Sequence, residues 1–312
     1  MKRAPRILML APEPFFEPRG TPFSEYHRIK VLGELGYEVD LVTYPFGRDV
    51  SMSHLRILRS ARPPFITGVR IGPSMVKVLL DLLLAVTAFR RALMVSYDAI
   101  HSHEEAGVLG AVLSEILGIP HLYDMHSSLS QQLQNFQYSK SPLMRGLFER
   151  AERKMIDSAR VVITICQELQ DSVVAVGAGD RAFLIENVMG GDITHAEEDR
   201  PVAQGVRMNY GIGSDQPLIL YTGTFEEYQG LDLLTSAAAC LARSCADARV
   251  LVVGGEPAQV ERARKVADAT GSPMVFAGQR PPEEIPDFIA ACDILVSPRV
   301  SGTNTPLKIY SY

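Results

Sequence analysis

The sequence predicts an α/β protein built as two tandem doubly wound domains, the second of them incomplete. Three observations carry this. Short Val/Ile/Leu-rich runs alternate with longer amphipathic ones, the pattern of a parallel sheet covered by helices on both faces. That rhythm breaks once, over 189–217, where a Gly-rich, charged stretch without a clear period reads as a linker. It then restarts and runs through four further strands, where a complete doubly wound domain has about five or six. A chain of 312 residues also exceeds the usual single domain. The expected division is 1–190 for the first domain, 191–215 for the linker and 216–312 for the partial second domain.

In chain order, strands of the first domain are expected at Arg6–Ala11, Glu38–Thr43, Ala99–Ser102, His121–Asp124, Val161–Ile165 and Phe183–Glu186. Helical patterns fill 23–36, 104–118 and 142–159, and 75–94 is amphipathic. In the second domain, strands Leu218–Tyr221, Arg249–Val253, Met274–Phe276 and Ile294–Val296 alternate with helices Leu231–Arg243, Ala258–Ala269 and Glu283–Ala291. Crossovers between parallel strands should be right-handed.

Composition narrows the function classes. Hydrophobic residues at 46% and charged residues at 21% are those of an ordinary soluble globular chain. The first apolar run, Ile7–Ala11, has a strand's length rather than that of a signal peptide. The longest candidate span, 76–89, falls short of the roughly 18 apolar residues a membrane helix needs and carries Lys77 and Asp81. Cys166, Cys240, Cys245 and Cys292 lack metal-ligand spacing and are expected as buried free thiols of a reducing cytoplasm. Net charge is −5, but residues 1–95 carry +6 and residues 96–312 carry −11. The basic front suits an anionic surface or substrate. No metal, resident cofactor or nucleic-acid partner is expected.

Several strand ends carry chemistry. After the first strand, "APEPFFEPRGTPFSEYHRIK" places Gly20 and the backbone N–H groups near Thr21–Ser24 at a helix N-terminus, where phosphate or carboxylate can sit. "YDAIHSHEEAG" and "PHLYDMHSSL" follow two successive strands and bring His101, His103, Glu104, Glu105, Asp124 and His126 to the carboxyl edge of the sheet. With no helical HExxH pattern, hydrogen bonding of a polyol by His126 and Glu105 is preferred to metal binding, and one of His101 and His103 is expected to face the core. In the second domain Gly223, the Gly254–Gly255 pair and Gly278 stand at three successive strand ends, with Glu256 at a helix entrance. The final loop holds Arg299, Thr303, Asn304, Thr305 and Lys308, a set of N–H dipoles and cations suited to phosphate.

Taken together, "PRGTPFSEYHRIKVLGELGYEVDLVTY", "DMHSSL", "ITICQELQDSV", "LIENV", "YTGTFEEYQGLDLL", "VVGGEP" and "ACDILVSPRVSGTNTPLKIYSY" resemble retaining GT-B glycosyltransferases of the bacterial group 1 family, also called glycosyltransferase family four. The likeness runs from about residue 5 to the end. It implies two Rossmann-like domains with a nucleotide sugar bound between them and no cofactor. It implies that Gly20 approaches the donor phosphates, that His126 contacts the transferred sugar, and that Gly223 and Thr224 lie beneath the diphosphate. Glu256 and Gly278 then border the nucleoside, and Arg19, Thr21, His103 and Glu105 fall on the acceptor side.

The sequence departs from the family pattern at four positions. The two carboxylates of the Glu-x7-Glu motif fall on Thr303 and Ser311, and the usual Arg and Lys fall near Thr224 and on Gln229. The resemblance also implies a truncated second domain. Lys308 and Arg299 would have to supply the charge, and Asn304 the sugar contacts. The expected activity is transfer of a hexose from a nucleotide-sugar donor to a glycan or lipid-linked acceptor in cell-envelope polysaccharide synthesis, with retention. The setting would be cytoplasmic, and Lys77, Arg90 and Arg91 on the 75–94 helix allow peripheral contact with anionic lipid. The alternatives are a non-catalytic remnant and a nucleotide-sugar epimerase on the same fold.

Overall fold

The computed structural model describes residues 3–16, 20–69, 74–129, 142–186, 200–300, 306 and 308–311. The chain divides into two compact units, Met1–Val188 and Met189–Tyr312. In the first unit a seven-stranded, all-parallel sheet runs in the order β3-β2-β1-β4-β5-β6-β7. Its strands are β1 (Arg6–Ala11), β2 (Glu38–Thr43), β3 (Leu55–Arg59), β4 (Ala99–His103), β5 (His121–Met125), β6 (Val161–Thr164) and β7 (Ala182–Leu184).

β1 shows why the sheet is covered on both sides. Its last five residues are all buried, so neither face meets water. Leu8 and Leu10 pack with Leu80, Leu84, Ala88 and Ala92 of α2 (Met75–Met94), while Met9 and Ala11 pack with Ile29 of α1 (Gly20–Glu34). Period-two alternation on the strand thus sends one set of side chains to each helix layer. α2 meets the sheet through an i, i+4 stripe, and each fully buried leucine in it contributes about 1.5–3 kcal/mol. The helix opens at Ser74, whose hydroxyl accepts the Lys77 N–H at 3.3 Å. Its outer stripe is also apolar: Val78, Leu79, Leu82, Val86 and Leu93 are exposed, Leu82 at 61% and Leu93 at 78%. No described helix is long and apolar enough to cross a membrane. The first unit is completed by α3 (Gly107–Leu117), α4 (Pro142–Ser158) and α5 (Gln167–Ala175).

The second unit holds a four-stranded parallel sheet ordered β10-β9-β8-β11 among its described residues. Its strands are β8 (Leu218–Thr222), β9 (Arg249–Val253), β10 (Met274–Gly278) and β11 (Ile294–Leu295). The described helices are α6 (Arg200–Asn209), α7 (Leu231–Ser244), α8 (Pro257–Thr270), α9 (Ile285–Ala290) and the short α10 (Lys308–Ser311).

Most strand bounds fall within a residue or two of expectation, but three readings are corrected. β3 has no counterpart in the sequence pattern because Arg56 and Arg59 interrupt its apolar residues, and it stands as an edge strand that tolerates charge. Part of the stretch read as a linker is helix α6, whose hidden signal is Arg207. That guanidinium donates to the carbonyls of Ala291 (2.8 Å), Gln216 (2.8 Å) and Gly213 (3.0 Å) and pairs with Asp293 at 2.9 Å, tying α6 to the sheet. The helix is short and polar on average, with a glycine at its centre, so its composition reads as a linker although Val206 and Arg207 face inward. Of the four free cysteines only Cys166 is buried, and Cys240 is exposed.

Candidate active site

In the first unit the strand order reverses between β1 and β4, and ligands of open α/β sheets bind at such a switch point, outside the carboxyl ends of the strands. The polar residues gathered there are His101 and His103 of β4, Asp124 of β5 and His126 just beyond it, Glu25 and Arg28 of α1, and Glu13 of the β1–α1 loop. Parallel register sets His103 beside Asp124. His101 and His103 do not split between core and site. Being two residues apart they share one face, their rings stack at 4.6 Å, and both are buried. The satisfied core histidine is His121 instead. Its ring contacts the hydroxyls of Ser102 (2.6 Å) and Ser158 (3.0 Å), and burial pushes it down to about 4.

Asp124 is the hub. Its Oδ2 lies 2.8 Å from Arg28 Nε and 3.3 Å from His101 Nε2, and its Oδ1 lies 3.2 Å from His126 Nε2. Burial raises this carboxyl, but His126 and Arg28 outweigh burial and hold it well below the usual range. Burial also opposes charge on His126, and Asp124 reverses that, so His126 binds its proton more tightly than a free histidine. His103, only 3.4 Å from His126, is kept neutral chiefly by burial. Glu13 and Glu25 are both driven towards the neutral acid by burial, Glu13 to about 7.

Glu104 and Glu105 follow β4. Glu105 forms an ion pair with Lys77 of α2 at 2.5 Å. Glu104 takes a left-handed backbone, φ 49°, rare for a residue with a side chain and concentrated at functional sites. Its carboxylate accepts from Ser127 Oγ at 2.6 Å. Gly20 and Thr21, expected in the loop, form the first turn of α1, and Arg19 lies outside the described residues. Glu13, Glu25 and Arg28 were not singled out from sequence. Glu25 and Arg28 stand three apart on one face of α1, a spacing that reads equally well as a solvated stripe.

In the second unit the order reverses between β8 and β11, and the glycine loops after β8, β9 and β10 meet along the adjoining carboxyl edge. Gly223 (φ 149°) donates its N–H to Val253 O at 3.0 Å, and Gly254 (φ 123°) donates to Gly278 O at 2.8 Å. The contact between these loops admits no side chain: a Cβ on Gly254 would stand 1.9 Å from the Gly223 carbonyl oxygen. Lys308 reaches over this floor. Its Nζ lies 4.0 Å from the Tyr221 ring centroid and 3.3 Å from Gln229 Oε1, and burial, with Arg299 nearby, lowers it to about 8. Arg299 stacks on Tyr228 at 5.6 Å.

Thr224 is exposed, and its carbonyl accepts from the Tyr221 hydroxyl at 2.7 Å. Glu256 is the N-cap of α8, in a capping box with Gln259. Behind Gly255 and Gly278 opens a cleft of about 520 Å³, also lined by Val260, Arg264 and Arg280. Thr303, Asn304 and Thr305 lie outside the described residues.

Each sheet therefore carries a polar constellation at its switch point, and the architecture is that of the GT-B glycosyltransferases. Sucrose-phosphate synthase from Thermosynechococcus elongatus matches it with a TM-score of 0.70 at 18% identity, covering 98% of this chain and 78% of that one. Residues 28–187 match the family model for the glycosyl transferase 4-like domain, and residues 216–312 match that for glycosyl transferases group 1. The chain belongs to this glycosyltransferase family. It is 28% identical over 212 residues to the 2-deoxystreptamine N-acetyl-D-glucosaminyltransferase of Streptomyces fradiae, covering 64% of this chain and 49% of that protein. It is 26% identical over 206 residues to a putative teichuronic acid biosynthesis glycosyltransferase of Bacillus subtilis, covering 65% and 48%. The chain spans about half the length of these curated relatives.

Proposed function

We propose that the protein transfers a hexose from a nucleotide-sugar donor to a glycan or lipid-linked acceptor, with retention of configuration. The observation that carries this reading is Lys308. Sugar transfer puts negative charge on the departing diphosphate, and preorganised positive charge at that point is the main catalytic need. Thr224 and Gln229 bring none. Lys308 restores a cation from the other side of the switch point, with Gln229 Oε1 as its hydrogen-bond partner at 3.3 Å. The glycine floor lets phosphate approach the backbone, and the cleft beyond Gly255 and Gly278 has the size of a nucleoside site.

On the acceptor side, His126 faces the sugar and the leaving phosphate takes the acceptor proton, so no enzyme nucleophile is needed. Glu105, the epimerase candidate from sequence, is paired with Lys77 at 2.5 Å. The exposed apolar stripe of α2 favours an acceptor presented at a membrane surface. The test is turnover of UDP-, GDP- and ADP-sugars by the full chain, with and without lipid-linked acceptors. Release of one nucleoside diphosphate that depends on acceptor is expected. Interconversion of two sugar nucleotides would replace transferase by epimerase, and no turnover of any donor would leave a non-catalytic remnant.

A further inference from the structure

Asp124 has no exposure at all, and a buried carboxylate persists as an anion only with cations against it. Two are present. Arg28 reaches in from α1 to Oδ2 at 2.8 Å, and His126 lies 3.2 Å from Oδ1. His126 is itself 3% exposed, so its ring has no bulk water to set its orientation or its charge. We propose that Arg28 and Asp124 are positioning residues, a clamped ion pair that fixes the His126 ring with its Nε2 edge against Asp124 and His103. The inference rests on the reading of His126 as the sugar-facing residue, and it names what prepares that residue for the task.

The chemistry follows from the surroundings. His126 faces His103 of β4, Glu104 after β4 and Asp124 of β5, with Glu13, Glu25 and Arg28 contributing from the β1–α1 loop and α1. Burial raises Glu13, Glu25 and Glu104, whereas Asp124 is lowered by His126 and Arg28 despite burial. His103 stands 3.4 Å from His126 and cannot share the charge. Asp124 is thus held between Arg28 and His126, and its charge favours the protonated His126 ring at the sugar side. A cation there suits the transfer step, in which a sugar hydroxyl or a phosphate oxygen gains negative charge. Deprotonation of His126 at high pH would remove it.

The direct test is a long-range 1H–15N NMR titration of the full chain, with His126 assigned by loss of its signals in His126→Gln. The wild-type protein needs no variant to fold, and His126 is expected to titrate above the ordinary histidine value of 6.5. Asp124→Asn should lower that midpoint by about one pH unit or more. It should also cut turnover about tenfold or more, draw the basic limb of the pH–rate profile down, and leave donor KM within about threefold. A wild-type midpoint below 6.5, or a midpoint unmoved in Asp124→Asn, overturns the proposal. If the midpoints behave as expected while the protein turns over no nucleotide sugar, the ion pair stands and the transferase reading fails, so the two failures are told apart.

Discussion

Replacing Gly254 by alanine tests the donor floor at its tightest point. The residue sits at φ 123°, where a side chain adds about 1–3 kcal/mol of backbone strain. The new methyl would also stand 1.9 Å from the Gly223 carbonyl oxygen, so the two loops must part by about 1.5 Å to reach ordinary contact. That movement pulls on the Gly254 N–H bond to Gly278 O and on the Gly223 N–H bond to Val253 O. Strain and overpacking together come to about 3 kcal/mol or more, a fall in melting temperature of about 10 °C for a unit of this size. Gly271→Ala is the matched control. It shares a left-handed backbone (φ 67°) but has nothing within 4 Å, so only the strain of about 1–2 kcal/mol applies. Thermal unfolding and nucleoside-diphosphate titration of both variants provide the assay. Gly254→Ala should lose stability and donor affinity together, whereas Gly271→Ala should lose a little stability alone. Equal behaviour of the two would refute the close approach of these loops.

Other outcomes follow from the same geometry. Lys308 is lowered to about 8, chiefly by burial, so the cation fades as pH rises through that value. Donor affinity measured by calorimetry should drop about fivefold between pH 8 and 9, and Lys308→Met should abolish that dependence. Leu84→Ala should cost about 2–5 kcal/mol, while Leu82→Ala on the outer face of α2 should stay within about 0.5 kcal/mol, by chemical denaturation. Leu82→Asp should also weaken binding to anionic vesicles by about tenfold or more in a co-sedimentation assay, if that face meets a membrane. Arg207→Met leaves four carbonyls and Asp293 without their shared donor, and a loss of about 3 kcal/mol is expected in thermal unfolding.

The sequence made the architecture legible wherever a hydrophobic period was strong. β1, β2 and β9 fall on their expected bounds; β1 and β9 are continuous apolar runs after a leading arginine, and β2 buries Val39, Leu41 and Val42 around Asp40. It failed where structure rests on charge. β3 carries two arginines at a sheet edge, and α6 is short, polar on average and anchored by one buried guanidinium, so both read as loop or linker by composition. The candidate site divides in the same way. Strand ends placed the histidines, Asp124 and the glycine floor correctly at the sheet edges, since βα order fixes which edge a loop leaves. The side-chain partnerships were not legible. Nothing in "FSEYHRIK" announces that Glu25 and Arg28 face inward, and two histidines a residue apart were wrongly divided between core and site. Partners that converge from α1, β4 and β5 depend on the twist and spacing of the sheet, which no local pattern carries.

The most direct test of the central claim, that Lys308 over Gly223 forms the diphosphate site, is calorimetric titration of UDP, GDP and ADP into the full chain and into Lys308→Met. One nucleoside diphosphate should bind the wild-type chain, and the variant should bind it about 100-fold more weakly, the scale of losing one buried charge contact of about 2.7 kcal/mol. Equal affinity in both proteins would contradict the assignment of Lys308, and no binding by either would contradict the donor site itself.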